Sequence, residues 1–151
     1  MMFPKKGKQK YGKFSTLKRK LHDIISQYVR IRDADEYGIC TCCTCGKRLF
    51  WKSGVYGMHA GHFMTDGTHA STRYDLENIH AQCFLCNNMK EGDKVKFAEY
   101  IDNKYYPGKA DELRIKAGMH QKYDRLWFET TIKEMSVKLS ELKRKKCFCD
   151  E

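Results

Sequence analysis

Residues 57–63, GMHAGHF, hold two histidines, His59 and His62, separated by two small residues. Imidazole binds borderline metals and titrates near neutrality. The spacing therefore admits a zinc-binding pair, a general base beside a metal ligand, or two ordinary surface histidines. The cysteines narrow the choice. Cys40, Cys42, Cys43 and Cys45 precede the stretch, Cys83 and Cys86 follow it, and Cys147 and Cys149 come near the end. Four thiolates from two C-x-x-C turns fill the tetrahedral shell of zinc and leave no open position, so such a site is structural. Cys83 and Cys86 form one turn. The other is Cys42 with Cys45, or Cys40 with Cys43 in the overlapping frame. Gly46 favours Cys42 and Cys45, because glycine after the second cysteine permits the positive φ that aims backbone N–H groups at thiolates. Cys147 and Cys149 have no partner turn and receive no role. The two halves lie about forty residues apart, and the histidines sit in the insert. With the thiolates taking the zinc, the histidines are left for other chemistry.

The net charge of +10 is concentrated at one end. Lys5, Lys6, Lys8, Lys10, Lys13, Lys18, Arg19 and Lys20 all precede the first acidic residue, Asp23. Each lysine that meets a phosphate releases a condensed counterion, so nucleic acid is the expected partner, with Lys18, Arg19 and Lys20 among its contacts. No apolar run is long enough to span a bilayer, and no apolar segment behind the basic stretch marks a signal peptide. The expectation is a reducing cytoplasm, metal rather than disulfides, no membrane and no small-molecule substrate.

These groups need a scaffold. Ser15 as N-cap, with Leu17, Leu21, Ile24, Tyr28 and Ile31 at helical spacing, predicts a helix over 15–36 behind a basic arm at 1–14. KRLFWKSG, YGMHAGHF and NIHAQC predict short strands in a 37–92 core. CFLCNNMK begins a helix that Gly92 stops. Residues 93–146 read as helical. Asp93 caps a helix with Val95, Ala98, Ile101 and Tyr105 on one face, Gly118 closes ADELRIKAG, and a last helix over 124–146 carries a stripe of Phe128, Ile132, Met135, Leu139 and Leu142. Residues 147–151 are expected to fray. The class is α+β with helix dominating, around a small zinc-stabilised ββα core.

Onward from Phe63 the order is a strand ending in His62, a polar loop, Asn78 before a second strand, then a C-x-x-C turn opening a helix with Asn87 in its first turn. This order resembles the HNH, or His-Me finger, nuclease motif. More narrowly, YVRIRDADEYG, CCTCGK, HAGHF, TRYDLENIHAQCFLCN, GDKVKFAEYIDNKY, ADEL and a long charged helix are similar in order and spacing to the phage NinG family of recombination endonucleases, over about residues 20–145. The resemblance implies phage or prophage origin, the cytoplasm of a bacterial host, and action on branched (Holliday-junction-like) or single-stranded DNA.

Phosphodiester hydrolysis needs a water deprotonated in line with the leaving oxygen and a cation on the developing charge. The motif implies His62 as the base, Asn78 as a brace for its loop, and Asn87 as a carbonyl ligand of a catalytic Mg²⁺ or Mn²⁺, beside the structural Zn²⁺. His80 either touches the scissile phosphate or pairs with a strand neighbour. Many HNH nucleases carry Asp before the base, where this chain has Gly61. Residues two apart on a strand share a face, so His59 and Gly61 point one way and His62 the other. A bulge at Ala60–Gly61 would let His59 stand in as the metal ligand, one better suited to Mn²⁺ than Mg²⁺. Asp66 and Asp75 are the reserve ligands. His69, Arg73 and Lys90 are candidate phosphate contacts; His22 and His120 carry no motif. Symmetric cutting of a junction takes two active sites, so a C₂ homodimer is expected. The absent Asp keeps open an alternative, a non-catalytic zinc-containing module that binds junction DNA.

Overall fold

A computed structural model describes residues 13–148. In chain order come helix α1 (Phe14–Asp33), strands β1 (Ile39–Thr41), β2 (Arg48–Phe50), β3 (Met58–His62) and β4 (Ile79–Cys83), a short π-helix (Leu85–Met89), and helices α2 (Lys94–Lys104), α3 (Lys109–Ala117) and α4 (Arg125–Lys145). The class is α+β: two antiparallel strand pairs, β1–β2 and β3–β4, set among helices.

Leu21, Ile25 and Val29, four apart on α1, are buried against Phe128, Ile132 and Met135 of α4 and Ile79 of β4. Each such side chain contributes about 1.5–3 kcal/mol on burial. That explains why α1 forms without the expected cap. Ser15 lies inside its first turn, Lys13 holds the cap position, and no side chain bonds there. A lost cap costs about 1 kcal/mol, less than one buried leucine. The stripe on α4 is thus covered by the chain's own α1. α4 does have its cap: Asp124 accepts from the Trp127 N–H at 2.7 Å.

Of the C-terminal residues described, Lys146 and Phe148 dock onto the fold. Lys146 Nζ donates to the carbonyls of Ile31 at 2.7 Å and Arg32 at 2.9 Å, and to that of Ala34. It satisfies the orphan acceptors at the end of α1. Phe148 stacks on Trp51 with centroids 6.1 Å apart. The arm before residue 13 and the residues after 148, Cys149 included, lie outside the described residues.

Two further expectations are corrected. β3 and β4 pair continuously from Met58↔Cys83 to His62↔Ile79, so there is no bulge at Ala60–Gly61. On α2, Asp93 occupies the cap position with φ 46° and makes no capping bond, while Phe97 and Ile101 form the buried face. Val95, expected on that face, is 72% exposed.

Candidate metal centre and active-site cleft

The β1–β2 turn builds half of the cysteine centre. Gly46 takes φ +75°, and its N–H donates to Cys42 O at 3.0 Å, closing a tight turn over Cys42 and Cys45. The turn from β4 into the π-helix supplies Cys83 and Cys86. The four sulfurs lie within 4.8 Å of one another. At Zn–S distances of about 2.3 Å a tetrahedral site fits such a cluster, so these cysteines could hold a structural metal such as zinc. Burial would push the Cys42 thiol up, but the Thr44 hydroxyl and the N–H groups of Cys83, Cys45 and Thr44 outweigh it and bring it down to about 6. The overlapping frame is not assembled. Cys40 donates its S–H to Arg30 O at 3.0 Å, and burial together with the charge of Asp33 pushes it up to about 12. Burial also pushes Cys43 up.

A cleft of about 940 Å³ runs along the free edge of β3, lined among others by His59 and His62, Asn87 of the π-helix, Lys94 of α2, and His22 and Arg30 of α1. Among the described residues β3 pairs with β4 alone. Its open edge lets His59 and His62 reach one cleft from opposite faces, without a bulge.

The hydrogen bonds fix both tautomers. His62 Nε2 lies 2.9 Å from Arg73 O. A carbonyl only accepts, so Nε2 carries the proton and Nδ1 keeps a lone pair. Burial lowers the His62 pKa, against the pull of the Arg73 carbonyl and Asp66, so the ring is neutral at pH 7. His59 repeats the arrangement: Nε2 donates to Val55 O at 2.6 Å, and Nδ1 faces the side-chain amides of Asn87 at 3.3 Å and Asn88 at 3.5 Å.

Asn78 is fully buried. Its Oδ1 accepts from Met64 N at 2.8 Å, and its Nδ2 donates to Met64 O at 3.0 Å and Thr72 O at 3.1 Å. It ties the two ends of the loop together, one peptide away from the carbonyl that orients His62.

Other expected site residues fall elsewhere. His80 is 0% exposed. Its Nδ1 accepts from Arg32 Nη2 at 3.0 Å, and its Nε2–H donates to Glu77 O at 3.1 Å. It is a core histidine and cannot reach a phosphate, which corrects that expectation. His69 bonds Ala117 O at 3.3 Å at the end of α3. The Arg73 guanidinium is held by Asp66, with Nε 2.8 Å from its backbone O. Neither lines the cleft; Asp66 does. Asp75 accepts from Glu77 N at 3.0 Å, also away from it. Lys90 is exposed just past the π-helix, and Lys18, Arg19 and Lys20 are exposed on the first turns of α1. None of these four belongs to the cleft lining.

The lining also includes His22, Arg30 and Lys94, which were not singled out in the sequence as site residues. His22, Ser26 and Arg30 at four-residue steps do trace one polar helix face, which was a readable signal. Nothing local marked Lys94. At Gly61, a Cβ would meet Gln82 Oε1 at 2.4 Å and Gln82 Cβ at 2.9 Å. Gln82 occupies the space an Asp would need.

Among the described residues no helix is long and apolar enough to cross a membrane. The family model described as Bacteriophage Lambda NinG protein matches residues 3–146. Protein ninG of Escherichia phage 933W is 26% identical over 103 residues, covering 68% of this chain and 47% of that protein. Protein ninG of Escherichia phage lambda is 24% identical over 103 residues, covering 68% and 46%. That of Enterobacteria phage H19B is 32% identical over 62 residues, covering 41% and 31%. The chain thus spans about half the length of the first two relatives. No solved structure matches.

Proposed function

The chain belongs to the family of the bacteriophage lambda NinG protein, and on that footing we propose that it is a metal-dependent endonuclease of phage recombination, hydrolysing phosphodiester bonds in branched or single-stranded DNA. The observation that carries this reading is His62. It is a neutral histidine in a large cleft, with Nε2–H committed to the Arg73 carbonyl and Nδ1 left as a base. The order β3, β4, π-helix, with His62 closing the first strand and Asn87 on the helix, supports a His-Me finger core.

In this reading Nδ1 takes a proton from water as the water oxygen attacks phosphorus. The bond from phosphorus to the leaving nucleotide oxygen breaks, that oxygen takes a proton from solvent, and the imidazolium returns its own to solvent. Asn78 acts through the loop, holding the Thr72–Arg73 segment so that the imidazole keeps its orientation. His59 Nδ1 and the Asn87 amide, turned to present its oxygen, are the donor pair for a divalent cation. Such a cation, Mn²⁺ or Mg²⁺, would supply charge stabilisation on the phosphate and leaving oxygen. With four thiolates as ligands, a metal held by the cysteine centre would have no open position, and the centre would serve as scaffold between the two strand pairs. Lys18, Arg19 and Lys20 extend the contact with DNA backbone.

The test is cleavage of a labelled four-way junction and a matched linear duplex in EDTA, Mg²⁺ or Mn²⁺, beside His62→Ala. Metal-dependent nicks that fall about 10²–10⁴-fold in the variant while binding survives are expected. A second reading, a junction-binding module without cleavage, is favoured by one observation: Gln82 fills the place of the motif's Asp. Binding without cutting in every metal would select it.

A further inference from the structure

Lys94 is a cation that the chemistry above leaves unused. It stands in the first turn of α2, half-buried, and lines the cleft. Its Nζ donates to the backbone carbonyl of His62 at 2.6 Å. An ammonium has three N–H donors, and that carbonyl accounts for one. Among the described residues no carboxylate stands within ion-pair distance of it, and burial works against its charge. The side chain is folded back over Gly92, where a Cβ would lie 2.8 Å from Nζ; the missing side chain at Gly92 leaves room for it. Gly92 is itself held by Gln82, whose Nε2 donates to its carbonyl at 2.7 Å. Lys94 also lines a second depression of about 290 Å³ beside Thr65 and Arg114. It therefore stands on the ridge between two hollows, where a strand can cross it.

Covalent geometry keeps the carbonyl oxygen and ring Nδ1 of one histidine within about 5 Å, so Nζ lies within roughly 8 Å of the proposed base. A water on Nδ1, a phosphorus about 3–3.5 Å from that water, and an ammonium about 2.8 Å from a phosphate oxygen span that gap. An oriented, half-buried cation without a carboxylate partner among the described residues, within roughly 8 Å of the proposed base, leaves a place for an anion between them.

We propose that Lys94 is a catalytic residue whose ammonium meets a non-bridging oxygen of the scissile phosphate. This rests on the endonuclease reading. Lys94→Gln keeps a donor for the His62 carbonyl but removes the charge; Lys94→Arg keeps the charge. Single-turnover cleavage of the junction in Mn²⁺ should fall about 10²-fold in Lys94→Gln, as for loss of one oriented transition-state donor. The thermal midpoint and the acid limb of the pH profile should stay at their wild-type values. Lys94→Arg should recover at least a tenth of the lost rate. A Lys94→Gln rate within threefold of wild type overturns the proposal, as does a Lys94→Arg rate no better than that of Lys94→Gln. If the wild-type protein cuts nothing in any metal, the endonuclease reading has failed, and binding of a single-stranded oligonucleotide by the zinc-loaded protein without added Mg²⁺ or Mn²⁺ still decides whether Lys94 meets a phosphate. Lys94→Gln should then weaken binding and lower the salt slope by about 0.7; an unchanged slope overturns it.

Discussion

Replacing Gly61 by alanine tests how tightly the strand pair is built around the cleft. The new methyl carbon would sit 2.4 Å from Gln82 Oε1 and 2.9 Å from Gln82 Cβ, where ordinary contact begins at 3.4 Å. Gln82 cannot step aside freely. It is fully buried, and its Nε2 donates to Gly92 O at 2.7 Å and Thr44 Oγ1 at 3.2 Å. Displacing it breaks two hydrogen bonds at about 1 kcal/mol each. Forcing a methylene-sized group into a packed core costs about 1–3 kcal/mol more. Against this, alanine regains about 0.5–1 kcal/mol of the chain entropy that glycine loses. The balance is a destabilisation of about 2–4 kcal/mol, read as a lowered urea midpoint at unchanged m-value. In a Gln82→Ala background the Oε1 contact and the two hydrogen bonds are already gone and only the 2.9 Å approach to Cβ remains, so the penalty should shrink by about 2 kcal/mol and the double-mutant cycle should show strong coupling. Wild-type stability in Gly61→Ala, or an equal penalty in both backgrounds, would refute the packing argument. By the same argument, Gly61→Asp does not restore the motif's metal ligand unless Gln82 is shortened with it.

Asn78→Asp keeps the shape but offers no donors to Met64 O and Thr72 O. It should cost about 2–5 kcal/mol in thermal or urea unfolding and reduce cleavage at least tenfold more than DNA binding; full activity would contradict the brace. Burial lowers the His62 pKa, so the acid limb of kcat/KM should lie below about 6.5, and a limb above pH 7 would exclude His62 as the base. His80 is also held neutral by burial, with its pKa lowered. The unfolded chain therefore binds the extra proton first. The stabilisation is complete above about pH 6.5 and is lost as pH falls through the lower folded value, which urea midpoints from pH 8 to 5 will follow. Metal analysis should find Cys42→Ser depleted of bound zinc and Cys40→Ser fully loaded; the reverse would reinstate the other cysteine frame.

Local features were legible in the sequence and long-range ones were not. The cysteine turns could be read because a C-x-x-C followed by Gly46 is specified within a few residues, and the observed +75° φ at Gly46 is the conformation glycine was expected to supply. β3 and β4 were visible for the same reason. His62 and His80 look alike in sequence, each a polar residue on a short strand. What separates them is Arg32, which reaches His80 from 48 residues away. Val95 was misplaced because α2 is too short for its period to fix a phase, and Phe97 took the buried position. Lys94 lies in a stretch that carries the family resemblance, but nothing in it marked this lysine for the site: its position depends on Gly92 and on Gln82 behind it. The expected bulge proved unnecessary because β3 is an edge strand, a fact of sheet order that no single strand reveals.

The clasp of Lys146 on the end of α1 has a consequence for synthesis. The first helix is completed by the last, and about 90 residues lie between Asp33 and Arg125. At roughly 5–20 residues per second a ribosome needs several seconds to deliver α4. Through that interval Leu21, Ile25 and Val29 lack Phe128, Ile132 and Met135 and have, of their buried partners, only Ile79 of the β3–β4 pair to pack on, while both cysteine turns have already emerged and can close on metal. The nascent chain therefore passes through a stage in which the metal centre is built and the apolar seam stands open. A ribosome stalled before α4 would present α1 to chaperones; one that has passed Phe148 would not.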